Sequence, residues 1–346
     1  MNLNIEISDP TDQALEARVW QHWNSLTKPP GSLGRLESLV VEYALMHGTD
    51  RPRIDRKVLV LFCADHGVTA EGVSAFPREV TAQMVRNFLT GGAAISVLCR
   101  QLCIEPVVVD AGVDGPVEVG ALDYKCGQGT ANFAKEPAMT IVQAEQALRN
   151  GIILAGEVRQ RADIAAVGEM GIGNTTSASA LLCALTGCSP HDAAGAGTGL
   201  DAERILHKAE VIASALRLHG TTIASNDPAE ILCALGGFEI ATMAGFLLGA
   251  ASQRLPVMID GFICGAAVLV ARAFNPNVMG YLIFSHQSAE AAHHKMLAAL
   301  QKRPLLNLEM RLGEGTGATL AIGLLESAMA LYTQMATFEQ GGVSTV

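Results

Sequence analysis

The sequence predicts an α/β fold, a parallel Rossmann-like sheet with helices on both faces, and three observations carry that prediction. Short apolar runs recur along the chain, each ends at Gly, Asp or a polar turn, and Ala-rich segments of helical length separate them. Strand, loop and helix in that order build parallel sheets. Such sheets bind ligands beyond the carboxyl ends of their strands.

Taken in order, Thr11 to Leu26 has a helical pattern and stops at Lys28-Pro29-Pro30-Gly31, after which Ser32 offers a new start. The bland reading of that junction is a linker. Val58–Phe62 reads as a strand running into Cys63-Ala64-Asp65-His66-Gly67, and Val107–Val109 as a second running into Asp110-Ala111-Gly112. Ile164–Val167 is a third, followed by the loop Gly168 to Thr176 and a helix over Ala178 to Leu185. Ile240 to Ser252 is apolar but well short of the ~20 residues of a spanning helix, so it predicts a buried one. Val257–Ile259 is a strand ending at Asp260-Gly261, and Thr319 to Ala336 is helical. The two terminal helices predict a small helical subdomain from residues 1–30 and 316–346, set against a large α/β domain over 31–315.

Composition excludes several classes of function. At 346 residues, 49% hydrophobic and 17% charged, the chain can bury a large core. A net charge of −10 argues against nucleic acid, which demands a basic surface. The start MNLNIEISDPTDQ has no basic and apolar leader, so a cytoplasmic protein, free of membrane, is expected. Its 8 cysteines show no C-x-x-C pair and predict buried free thiols; Cys99 and Cys103 would share a helix face, yet nothing nearby completes a metal set. No metal or cofactor is expected.

Two glycine loops carry the chemistry. Leu312-Gly313-Glu314-Gly315-Thr316-Gly317 sets one carboxylate on a flexible turn before an Ala/Leu-rich helix. Glu314 is either a ligand-facing acid or simply a negative charge at the positive end of that helix. Gly168-Glu169-Met170-Gly171-Ile172-Gly173-Asn174-Thr175-Thr176-Ser177 runs from a strand into a helix and suits a phosphate, with amides and hydroxyls at a helix start; the alternative is an ordinary Thr or Ser cap. Its spacing is not G-x-G-x-x-G, and no Walker lysine, G-x-S-x-G elbow or H-E-x-x-H exists, which leaves dinucleotide, hydrolase-triad and zincin readings unsupported. A second loop, Gly195 to Asp201, precedes a helix bearing Arg204, His207 and Lys208; by spacing alone Lys208 reads as solvated surface. Ser285-His286-Gln287-Ser288-Ala289-Glu290 looks like a helix start capped by Ser288.

Seven motifs, KPPGSLGRLE at 28–37, CADHGV at 63–68, GEMGIGNTT at 168–176, LGGFE at 235–239, DGF at 260–262, SHQSAE at 285–290 and MRLGEGTGA at 310–318, together resemble the nicotinate-nucleotide:dimethylbenzimidazole phosphoribosyltransferase family from about residue 28 to 330. The resemblance implies transfer of phosphoribose from nicotinate mononucleotide to 5,6-dimethylbenzimidazole, with inversion at C1′, in cobalamin lower-ligand assembly. It implies a homodimer whose subunits complete each other's sites. Glu314 corresponds to the family's catalytic base and Glu169 to a second acid. Gly171, Gly173, Asn174, Thr175, Thr176 and Lys208 match the phosphate end, Gly313, Gly315 and Ser288 the substrate-binding set, and Phe76 and Met84 the base pocket. A relative that takes another base, such as adenine or a phenol, and a non-catalytic nucleotide sensor are the alternatives.

Overall fold

β-Branched and leucine residues dominate the strands, as expected of a sheet buried on both faces, and the computed structural model, which describes residues 3–197 and 199–344, gathers them into one six-stranded sheet. The strands are β1 (Lys57–Ala64), β2 (Glu105–Gly112), β3 (Leu122–Asp123), β4 (Ile164–Met170), β5 (Val257–Ile259) and β6 (Leu282–Phe284). Their order is β3-β2-β1-β4-β5-β6 and every pairing is parallel. The α/β prediction therefore holds. The short edge strands β3 and β6 escaped it, being two and three residues long. Strand order reverses between β1 and β4, the crevice where open parallel sheets take ligands.

Register then places the chemistry. Phe62 lies opposite both Val109 and Glu169, and Cys63 opposite Met170, so Asp65-His66 leaves β1 beside the loop that leaves β4. Helices Ile141–Arg159 and Phe238–Ser252 cover one face, approaching so closely that a Cβ on Gly245 would strike the Leu148 backbone. Helices Ala94–Gln101 and Thr316–Gln334 pack on each other; the first meets β2, the second β4 and β5.

Helix Gln13–Ser25 packs on Arg35–His47, and Trp23 meets Tyr332 edge-on at 5.1 Å. The junction between the first two helices is no slack linker. Buried Lys28 sits 2.9 Å from buried Glu37, which also accepts the Leu33 amide at 2.9 Å, and the exposed Pro29–Ser32 stretch is thereby pinned at both ends. A buried pair of this kind fixes one conformation more surely than it adds stability.

Three local expectations need correction. The helix after β4 begins at Asn174, with Gly173 as its N-cap at φ +96°, so no hydroxyl caps it. The SHQSAE segment is a loop; the helix begins at His293, whose Nδ1 accepts the Ser288 amide at 2.7 Å. Cys103 is exposed at φ +51°, past the helix that carries Cys99, so the two share no face, whereas Cys63, Cys99, Cys183, Cys233 and Cys264 are buried.

Candidate active site

Loops from β1, β4, β5 and β6 and the glycine turn before helix Thr316–Gln334 enclose a cavity of about 480 Å³. Its lining includes Phe76, Glu169, Gly171, Asn174, Thr175, Asp260, His286, Ser288, Glu290, Arg311 and Gly313. Seven predicted site residues thus converge there: Glu169, Gly171, Asn174, Thr175, Ser288, Gly313 and Phe76. A roomier cavity, about 750 Å³, lies between segment 129–143 and helix Pro228–Leu235. Among the described residues none of its lining side chains is basic, so it offers a phosphate no counter-charge.

Acid chemistry occupies the floor of the smaller cavity. Glu169 is buried on the last turn of β4, and burial, with Asp260 close by, pushes its carboxyl up to about 8 against the opposing pull of the Asn174 amide, which donates to it. Asp260 follows β5 and accepts the Gly315 amide at 3.2 Å and the Ala318 amide at 3.0 Å. Burial still raises it to about 7. His286 stands 3.7 Å from Asp260, but burial lowers its pKa to about 4, so at neutral pH it faces the acids uncharged. Perturbed carboxyls gathered in a cleft mark a site built for charge.

The glycine turn is the most strained part of the site. Gly313, Glu314 and Gly315 lie at φ +81°, +60° and +80° in succession, and a Cβ on Gly168 would come within 2.6 Å of the Glu314 carbonyl carbon. A non-glycine residue held in the left-handed region costs on the order of 1–3 kcal/mol, and such positions cluster where strain serves function. The Glu314 carboxyl is buried and one of its oxygens has no hydrogen-bond partner. Burial raises its pKa, with the Ile95 amide at the start of helix Ala94–Gln101 opposing the rise. It stands one residue behind the cavity wall that Gly313 forms, while Glu169 presses on Gly313 from the cavity side.

A lysine-backed cluster of hydroxyls and amides borders the same cavity. Lys208 is wholly buried, which corrects the surface reading; its Nζ donates to Thr175 Oγ1 at 2.9 Å and to the Gly195 carbonyl at 3.3 Å. Burial lowers it to about 8, with Glu290 pulling the other way. Glu290 accepts the Gly197 amide at 3.2 Å, and its own amide donates to Ser288 Oγ at 3.2 Å. Thr198, in the same loop, lies outside the described residues. Among the other predicted residues, Thr176 is buried beneath the loop, Gly173 packs on His66 and Thr69, Gly315 on Leu59, and Met84 is half-buried on helix Val80–Thr90; none of these lines the cavity.

Comparison with known proteins places the chain in a family. A phosphoribosyltransferase family model matches residues 8–343. Nicotinate-nucleotide–dimethylbenzimidazole phosphoribosyltransferases of Pseudomonas putida and Roseiflexus sp. are 49% and 47% identical, each over 97% of this chain and 96% and 95% of their own. The crystal structure of CobT from Thermus thermophilus superposes with a TM-score of 0.90 at 42% identity, over 96% of this chain and all of that one. The chain belongs to the phosphoribosyltransferase family.

For a phosphoribosyltransferase, sequence reasoning marked Asp260 only as a candidate after a strand, without a role, and missed the polar cavity residues His286, Glu290 and Arg311. Asp260 had a signal, an acid directly after a predicted strand. His286 and Glu290 were hidden by the helix reading of their segment, and Arg311, donating to the Gly197 carbonyl at 3.5 Å, had none.

Proposed function

We propose that this chain transfers the phosphoribosyl group of nicotinate mononucleotide to 5,6-dimethylbenzimidazole, releasing nicotinate and forming α-ribazole 5′-phosphate. One observation carries the reading: a cavity at the β1/β4 crevice is lined by buried acids and bordered by a lysine-backed hydroxyl and amide cluster. The near full-length likeness to enzymes of that name supports it.

The chemistry follows from the charges. Nicotinate leaves from a pyridinium and takes the bond electrons as a neutral ring nitrogen, so it needs no proton. Benzimidazole attacks through one nitrogen and must lose the proton from the other. Glu314 is assigned as its acceptor, because its strained backbone and unpaired carboxyl oxygen suit a base and it stands one residue behind the cavity wall that Gly313 forms. Glu169 and Asp260 stabilise the positive charge that grows at C1′. Thr175, Ser288 and the glycine amides of the Gly171–Asn174 turn hold the 5′-phosphate, with the Lys208 charge behind Thr175. Phe76 packs on the incoming base, with Met84 behind it. Attack from the face opposite the leaving group inverts C1′ with no covalent enzyme intermediate.

A homodimer in the cytoplasm completes the proposal, with residues 1–30 and 316–346 acting as a helical unit; Trp23 against Tyr332 supports the grouping, and the pinned Pro29–Ser32 stretch is a rigid, exposed element for a partner's site. Among the described residues no helix is long and apolar enough to cross a membrane. Purified protein with nicotinate mononucleotide should release nicotinate, followed by HPLC, only when a base is supplied, and fastest with dimethylbenzimidazole in a panel including adenine and phenol. Faster release with another base would reassign the acceptor, and none with any base would leave a nucleotide-binding protein.

A further inference from the structure

Beneath the cavity, two motifs that the proposed mechanism leaves idle meet in a wholly buried pair. His66, from CADHGV, lies with Nε2 2.6 Å from Oε1 of Glu239, from LGGFE, and neither side chain reaches solvent. The pair is deliberately accommodated. A Cβ on Gly237 would strike the His66 ring and come within 2.6 Å of Glu239 Oε2, so only glycine lets the two approach.

The imidazole reaches the cavity floor from below. Its Cδ2 lies 3.4 Å from where a Cβ on Gly171 would stand, so the ring packs under Gly171, while the approach to Gly173, at 3.2 Å, is made by the His66 Cβ, which an alanine keeps. Those glycines bracket the turn that delivers Asn174, whose amide donates to Glu169. We infer that His66 is a positioning residue: its ring, clamped by Glu239, is the wedge that holds the Gly171–Asn174 turn and keeps the Asn174 amide on the Glu169 carboxylate. That hydrogen bond favours the ionised form of Glu169, while burial first of all, and then Asp260, Glu239 and Glu314, oppose it. His286, Glu290 and Arg311 face the same cavity, and Asp65 is the neighbour of His66 in the chain. Withdrawing the wedge frees the amide, so Glu169 holds its proton to higher pH.

The inference deepens the transferase reading but is tested without substrate. In protein labelled with ¹³C at the Glu side-chain carboxyl carbon, the Glu169 resonance, assigned by its loss in Glu169→Gln, is titrated from pH 6 to 10. His66→Ala and Asn174→Ala should each raise its midpoint by about half a unit to one unit, the scale of one hydrogen bond to a carboxylate. Together they should shift it no further than Asn174→Ala alone, since both remove the same contact; a direct charge effect of His66 would add instead. If losing the partner of Glu239 prevents His66→Ala from folding, His66→Gln, whose Nε2 extends as far as the imidazole Nε2, leaves that carboxyl a donor while removing the ring, and carries the same expectation. In the nicotinate assay kcat should fall about tenfold in either His66 variant, and KM for the nucleotide should rise with it, because the same turn holds the 5′-phosphate. An unmoved Glu169 midpoint in a folded His66 variant, or an additive double variant, overturns the wedge. Failure of the unmodified protein to release nicotinate overturns the transferase reading and leaves the titration intact.

Discussion

Lys208→Met removes the one buried cation behind the phosphate end while keeping most of the side-chain stem. Lys208 is fully buried and its Nζ holds Thr175 Oγ1 at 2.9 Å, so the charge is aimed at the hydroxyl that lines the cavity. A hydrogen bond assisted by charge is worth about 1.5–3 kcal/mol, and each 1.4 kcal/mol is about tenfold in affinity. KM for nicotinate mononucleotide should therefore rise about 10- to 150-fold, with kcat changed far less. The pH dependence sharpens the test. Burial lowers Lys208 to about 8 in the free protein, and a bound phosphate dianion must raise it, so binding takes up a proton above pH 8. In the parent, KM should be flat below pH 8 and climb about tenfold per unit above it; in Lys208→Met that limb should vanish. Stability moves the other way. A buried lysine that is charged below pH 8 disfavours the folded state, so the variant should melt no lower than the parent at pH 7. Initial rates at seven pH values for both proteins, with calorimetric melts, decide the matter. A parent and variant with the same KM and the same alkaline limb would refute the assignment of Lys208 to the phosphate.

Three further outcomes are expected. Glu314→Gln should lower kcat about 10²- to 10⁴-fold with little change in KM and little loss of stability, and Glu169→Gln should hurt less, in single-turnover assays run beside melts; near-normal turnover with a much lower melting point would make Glu314 a helix-start stabiliser. Labelled nicotinate should not exchange into the mononucleotide without a base, since no ribosyl-enzyme forms, and exchange would point to ping-pong chemistry. Because Glu169 is raised to about 8, it binds a proton in the folded state that the unfolded chain releases near pH 4, so its contribution is present at pH 4 and lost as pH rises through 8; Glu169→Gln should thus gain in melting temperature relative to the parent between pH 6 and 9, and an unchanged gap would show that the carboxyl titrates normally.

The strands that carry the site were legible because they are fully buried and apolar on both faces, so Val58–Phe62, Val107–Val109, Ile164–Val167 and Val257–Ile259 stand out against polar loops. Edge strands were not, since two or three residues give no period to read. Glycine spacing marked both site loops, but it could not say which face a side chain takes. Gly313 and Glu314 are neighbours in sequence, yet one forms the cavity wall and the other's carboxyl is buried behind it. Lys208 was misread for a related reason. Helix Ala202–Leu218 carries charges all along, and only the packing of the Gly195–Gly197 segment over one face decides which of them is buried.

The acid cluster itself explains how one site can both attract its substrate and prepare its base. Glu169 at about 8, Asp260 at about 7 and a raised Glu314 mean that the free site holds protons at neutral pH, because several carboxylates so close in a dry cleft cannot all ionise. Nicotinate mononucleotide brings a pyridinium. Under the proposed function, that cation seated among these carboxyls favours their charged forms and drives protons out, so the acceptor for the benzimidazole proton becomes available as the reactive ring arrives. Departure of nicotinate, its ring nitrogen now uncharged, removes the cation and lets the acids take protons back, including the one the base has given up. Nucleotide binding should then release protons near pH 7.5, measurable as a buffer-dependent heat in calorimetry, and Glu169→Gln should release fewer. A binding heat independent of buffer ionisation would show that the carboxyls are already ionised and that burial does less to them than their surroundings imply.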